Sequence, residues 1–105
     1  MLIVYTTCPN MKNAKEIAKK LVERRLAACV NIIKIEESVY RWKGKIVEEA
    51  EFLLIIKTTE SKYSQVETEI KRIHEYELPE ILAVKVTMGS KEYMTWVERH
   101  CILGF

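Results

Sequence analysis

The sequence predicts an α+β fold, an antiparallel sheet with helices on one face, built around an unusually long hairpin. Three observations carry this. Two long apolar runs, Ala27 to Trp42 and Lys45 to Thr58, are joined by the tight sequence Trp42-Lys43-Gly44-Lys45. Shorter strand-like runs stand near both ends of the chain, at Met1 to Thr6 and Ile81 to Thr87. Between them lie segments whose apolar residues recur at helical spacing.

Met1 to Thr6 is rich in Ile, Val, Tyr and Thr and reads as a first strand. Thr7-Cys8-Pro9-Asn10 breaks it, and Asn10 or Asn13 is placed to cap a helix. Ala14, Ile17, Ala18, Leu21 and Val22 form that helix's apolar stripe. Alternation in the next strand slips between Val30-x-Ile32 and Ile33-x-Ile35, which predicts a bulge or bend there. Gly44 supplies the turn conformation. Glu60-Ser61 ends the third strand and caps a second helix with the stripe Tyr63, Val66, Ile70 and Ile73. Pro79 closes the following loop. After the fourth strand, Ser90 caps a final helix with Tyr93, Trp96 and Val97 on one face. The order β-α-β-β-α-β-α is the ferredoxin-like split β-α-β arrangement.

The hairpin has a further consequence. Fourteen residues of strand span about 46 Å. A chain of 105 residues folds as one domain over 1–105, with a body only about 30–35 Å across. The hairpin's outer end, carrying Val39, Tyr40, Trp42, Ile46 and Val47, therefore projects beyond its own core. Such an apolar end, with an open sheet face, predicts self-association.

Composition narrows the function classes. Net charge is +2 with both signs interspersed, and no basic face with interleaved aromatics points to nucleic acid. No apolar stretch approaches the roughly 20 residues of a membrane span. The N-terminus lacks a charged region before its apolar residues, so the expectation is a cytoplasmic protein. Cys8, Cys29 and Cys101 are odd in number and widely spaced, which is neither a disulfide framework nor a zinc motif. Asp is absent, there are two His, and the serines lack elbow motifs. No enzyme is expected, and no organic cofactor.

The residues resemble the CutA divalent-cation tolerance proteins over nearly the whole chain. The carriers are Leu26-Ala27-Ala28-Cys29-Val30-Asn31 and Tyr40-x-Trp42-x-Gly44-Lys45-Ile46. Glu51 and Lys57-Thr58 follow, then His74-x-Tyr76-x-x-Pro79-Glu80-Ile81 and Tyr93-x-x-Trp96. Each piece is weak alone; their order and spacing together are specific. The resemblance implies a homotrimer with hairpins packed between subunits, and a link to tolerance of copper and other divalent metals. One departure is Glu75, where the family usually carries proline after the histidine.

Candidate site residues follow from chemistry. Cys29 is a soft thiolate donor suited to copper, or a buried small hydrophobe. His74 is an imidazole ligand with Glu75 and Glu77 nearby, or a side chain that staples a loop. His100-Cys101 is a pair able to scavenge metal adventitiously. Glu51 and Lys57 point to one strand face, either as an ion pair between subunits or in an inter-subunit cleft with Tyr76 and His74. Tyr40 and Trp42 read as trimer-interface anchors. The alternative function is a trimeric small-ligand sensor or scaffold similar to PII signalling proteins, although Arg41-Trp42-Lys43-Gly44-Lys45 is short for a phosphate-binding loop.

Overall fold

A computed structural model describes residues 1–102. Its elements are β1 (Leu2–Cys8), α1 (Met11–Glu23), β2 (Cys29–Trp42), β3 (Lys45–Thr58), α2 (Tyr63–Ile73), β4 (Leu82–Lys85) and α3 (Lys91–His100), with a 3-10 turn at Glu60–Lys62. The sheet runs β2-β3-β1-β4 and every adjacent pair is antiparallel. This is the expected α+β split β-α-β fold.

Side-chain alternation builds the core. Leu2, Val4, Thr6 and Cys8 of β1 stand opposite Thr58, Ile56, Leu54 and Phe52 of β3, on the face covered by helices. Val4, Leu54 and Ile56 join Ile17 and Leu21 of α1 and Val66 and Ile70 of α2 in one fully buried cluster. Asn10 caps α1 by accepting the backbone N–H of Asn13 at 2.8 Å. Buried Glu69 on α2 takes Arg24, just past the end of α1, at 2.9 Å, and also binds Arg72. These guanidinium contacts, with the Arg72 hydrogen bond foremost, hold its carboxyl below the usual value of 4.5.

The remaining sheet face carries Leu53, Ile55 and Lys57 of β3, with Ile33, Leu82 and Val84 exposed on its two edge strands. The hairpin turn has positive φ at Lys43 (50°) and Gly44 (80°). Two such residues in succession match the twist of the flanking strands. The molecule measures 44 × 27 × 20 Å, so the hairpin does extend past the core. Val39 is 63% exposed and Ile46 58% at its far end. No described helix is long and apolar enough to cross a membrane.

Several expectations need correction. Strand β2 begins at Cys29 rather than Ala27, because the Ala27 N–H is bonded to Leu21 O at the end of α1. The irregularity in β2 lies between Ile35 and Ser38, not within residues 30–35. It inserts one residue opposite Ala50 and moves the uncovered face from odd to even positions, so that Ser38, Tyr40 and Trp42 join it. Ser61 does not cap α2; the 3-10 turn precedes that helix, and Ser61 Oγ lies 3.1 Å from Thr59 Oγ1. Strand β4 spans Leu82–Lys85 instead of Ile81–Thr87. On α3 only Val97 is buried, and Tyr93 and Trp96 stack on each other at the surface with centroids 5.7 Å apart.

Candidate functional site

The site is assembled where α2 ends and its loop crosses to the uncovered sheet face. Asn13 is fully buried on the stripe that also carries Ile17 and Leu21. Its amide donates to Ile73 O at 3.2 Å, and its carbonyl oxygen accepts the Glu75 N–H at 3.2 Å. Asn10 Nδ2 donates to Glu75 Oε1 at 3.0 Å. The carboxylate at the family's usual proline position is thus used to anchor the loop.

His74 completes the anchorage. Its Nε2 lies 2.8 Å from Thr7 O, to which it donates, and its Nδ1 accepts the Tyr76 N–H at 3.1 Å. Those two partners assign a neutral ring protonated on Nε2. Burial drives its pKa below the usual 6.5. Cys8 Sγ is 3.8 Å from the same Nε2. Burial first, then Glu51 and Glu75, push the Cys8 thiol up to about 12.

With the loop held, Tyr76 reaches β3. Its phenol donates to Glu51 Oε2 at 2.7 Å and stands 3.2 Å from Glu49 Oε1. Tyr40 donates to Glu49 Oε1 as well. That hydrogen bond, with lesser desolvation, raises the Tyr40 pKa to about 12; burial and Glu51 raise that of Tyr76. Both phenols remain protonated donors. Beside them opens a cleft of about 740 Å³ lined by Thr7, Ile35, Tyr40, Trp42, Glu51 and Tyr76, with Leu78 on its rim. Glu51 is only 6% exposed.

The structure brings Glu51, Tyr76, Tyr40 and Trp42 together and separates the other candidates. Lys57 and Glu51 share a face, but six residues of strand put them about 20 Å apart. Lys57 instead bonds the Asn31 side chain. Cys29 stands opposite Lys57, whereas Thr7, the partner of His74, stands opposite Leu53. Four residues of strand separate those positions, about 13 Å, so Cys29 and His74 share no site within one chain. Among the described residues no group of three His, Cys or Glu is placed to hold a metal. His100 is exposed and bonds Trp96 O at 2.8 Å, while Cys101 is buried with its pKa raised by that burial, so the pair does not converge on one ion.

Residues 2–100 match the family model of the CutA1 divalent ion tolerance protein. This chain belongs to that family. A divalent-cation tolerance protein CutA from Thermus thermophilus is 43% identical over 98 residues, covering 93% of this chain and 95% of that protein. A CutA homolog from Xenopus laevis is 47% identical over 93 residues, 89% of this chain but only 62% of the frog protein. The solved CutA from Archaeoglobus fulgidus superposes with a TM-score of 0.93 at 40% identity, covering 97% of this chain and all 100% of that one. A CutA from a Nostoc species, called PII-like, gives a TM-score of 0.91 at 33% identity over 98% and 99% of the two chains.

These CutA relatives overturn the expectation of a cytoplasmic protein. The Archaeoglobus fulgidus CutA is called periplasmic. An Arabidopsis thaliana CutA, 42% identical over 92% of this chain and 53% of its own length, is chloroplastic. The bare N-terminal strand therefore carries no information on compartment.

Proposed function

We propose that this chain serves divalent-cation tolerance as a non-catalytic homotrimer that binds copper or another divalent metal through Cys29. The observation that carries the reading is the exposure of the three thiols. Cys8 and Cys101 are buried, whereas Cys29 is only partly covered, at the start of edge strand β2. It is the soft ligand an incoming ion can reach. His74 holds a loop with both ring nitrogens, so a metal at either one would have to displace a hydrogen bond. Exposed Val39, Trp42 and Ile46 at the hairpin end support burial against neighbouring subunits.

Native mass spectrometry of the reduced protein, before and after stoichiometric Cu(I), Cu(II) and Zn(II), tests this. The expected result is a trimer that takes up three ions of one metal. Cys29→Ser should weaken uptake at least tenfold. Unchanged uptake by that variant removes Cys29 from the reading, and a protein that stays bare removes metal binding itself.

A second reading, a small-ligand module like the PII-type proteins, is favoured by the cleft between Tyr40, Trp42, Glu51 and Tyr76. Thermal-shift screening against nucleotides, organic anions and organic cations tests it. A flat response to all three classes ends it.

A further inference from the structure

We propose that the cleft between the outer hairpin and the loop after α2 is a receptor for a small organic ammonium ion. The proposal rests on the small-ligand reading and names the chemistry of its ligand.

Charge is the first argument. Glu51 is more than nine-tenths buried on the cleft wall, where it accepts the phenolic hydrogen of Tyr76. Neither Glu51 nor Glu49 has a cation within ion-pair distance among the described residues. A buried carboxylate met only by neutral donors is costly, and a cation beside it recovers that cost. Glu80 also lines the cleft, and the adjoining hollow under the loop adds Glu75 and Glu77. Among the described residues no Lys or Arg lines either hollow, although the chain holds 17 basic residues against 15 acidic. An anion such as a nucleotide would meet these carboxylates, and the nearby Lys43 ammonium is already paired with Glu77.

Aromatic surface is the second argument, and it is independent of the first. Tyr40, Trp42 and Tyr76 all line this space. Rings beside a carboxylate suit a weakly hydrated, charge-delocalised cation. The chain already shows this chemistry at the mouth of the cleft, where the Lys43 ammonium lies 5.6 Å from the Trp42 ring centre and 3.9 Å from Glu77. A divalent metal fits less well. It needs carboxylate oxygens in direct contact, and Glu51 Oε2 and Glu49 Oε1 are taken by phenolic hydrogens. The volume, about 740 Å³, suits a small molecule.

The experiment is fluorescence titration of the full-length assembled protein with choline. Trp96→Phe removes the second tryptophan and leaves Trp42 as the reporter. The comparison ligand is choline's neutral isostere, with a quaternary carbon in place of nitrogen. Saturable binding of choline, at least tenfold weaker binding of the isostere, and at least tenfold loss for choline in Glu51→Gln are expected. Equal binding of the two ligands overturns the proposal. So does saturation by Zn(II) in place of choline. If ATP or citrate saturates the cleft and choline does not, the small-ligand reading stands and the ammonium assignment falls. If nothing binds, both fall. The two-ligand comparison uses intact Glu51, so it decides the matter even if Glu51→Gln does not fold.

Discussion

Asn13 and Glu75 stand 62 residues apart, and the side-chain carbonyl of Asn13 accepts the Glu75 backbone N–H at 3.2 Å. The same amide donates to Ile73 O, so one buried side chain joins α1 to the last residue of α2 and to the loop beyond it. Everything the loop presents to the cleft depends on that joint.

Asn13→Ala removes both bonds and leaves the Ile73 carbonyl and the Glu75 N–H without their buried partner. Each hydrogen bond lost from these partly exposed groups costs about 0.5–1.5 kcal/mol. Urea denaturation should show a loss in that range or above. The loop amides at Glu75 and Tyr76 should also lose hydrogen-exchange protection. A variant as stable as its parent contradicts the role of the joint.

Stability should also respond to mild acid. The folded-state pKa of His74 lies below its usual 6.5, so the unfolded chain takes up the proton first. The His74 contribution is therefore complete above pH 6.5 and declines as pH falls through that value toward the folded one. Glu69, depressed below 4.5, contributes above that value and loses its effect only in stronger acid. Melting temperatures across the interval between those two values should fall for the parent. For His74→Gln they should be lower but flatter. Parallel slopes in the two proteins would assign the acid response to other groups.

Tyr76→Phe deletes the phenol that donates to Glu51 and leaves that carboxylate buried without its donor. The expected loss is about 1–3 kcal/mol in chemical denaturation. An unchanged variant would show that water reaches Glu51 in solution.

Trp42 tests the hairpin's outer end. Within one chain it is still 38% exposed, and that remaining surface is what a neighbouring subunit would cover. Truncating a Trp buried in an interface costs about 3–5 kcal/mol. Sedimentation velocity should therefore show dissociation in the variant at concentrations where the parent remains assembled. Identical sedimentation of the two proteins argues that the hairpin end is not an interface.

Much of the fold is legible because alternation and turn chemistry are local. The hairpin follows from two apolar runs around Lys43-Gly44, and the α1 stripe from residues spaced by three and four. The site is less legible because its contacts join distant segments. Face parity correctly places Glu51 and Lys57 together, yet parity says nothing about separation along a strand. Helical spacing puts Tyr93 and Trp96 on one side of α3 but does not say whether anything covers them. The joint at Asn13 and the buried Glu69 escape a reading of apolar pattern alone. A signal for the first does exist, since Asn13 sits four residues before Ile17 on an otherwise apolar stripe.

The irregularity between Ile35 and Ser38 has a consequence for how such a cleft can change. Inserting one residue into β3 beside Ala50 would restore regular pairing and turn the outer half of the hairpin over. Val39 and Arg41 would then line the cleft, and Tyr40 and Trp42 would leave it. An acidic, aromatic hollow would become one with a guanidinium in its wall, without a single substitution. Ligand preference in this fold is thus written partly in strand length, and one codon gained can set a cation into a wall that now holds none.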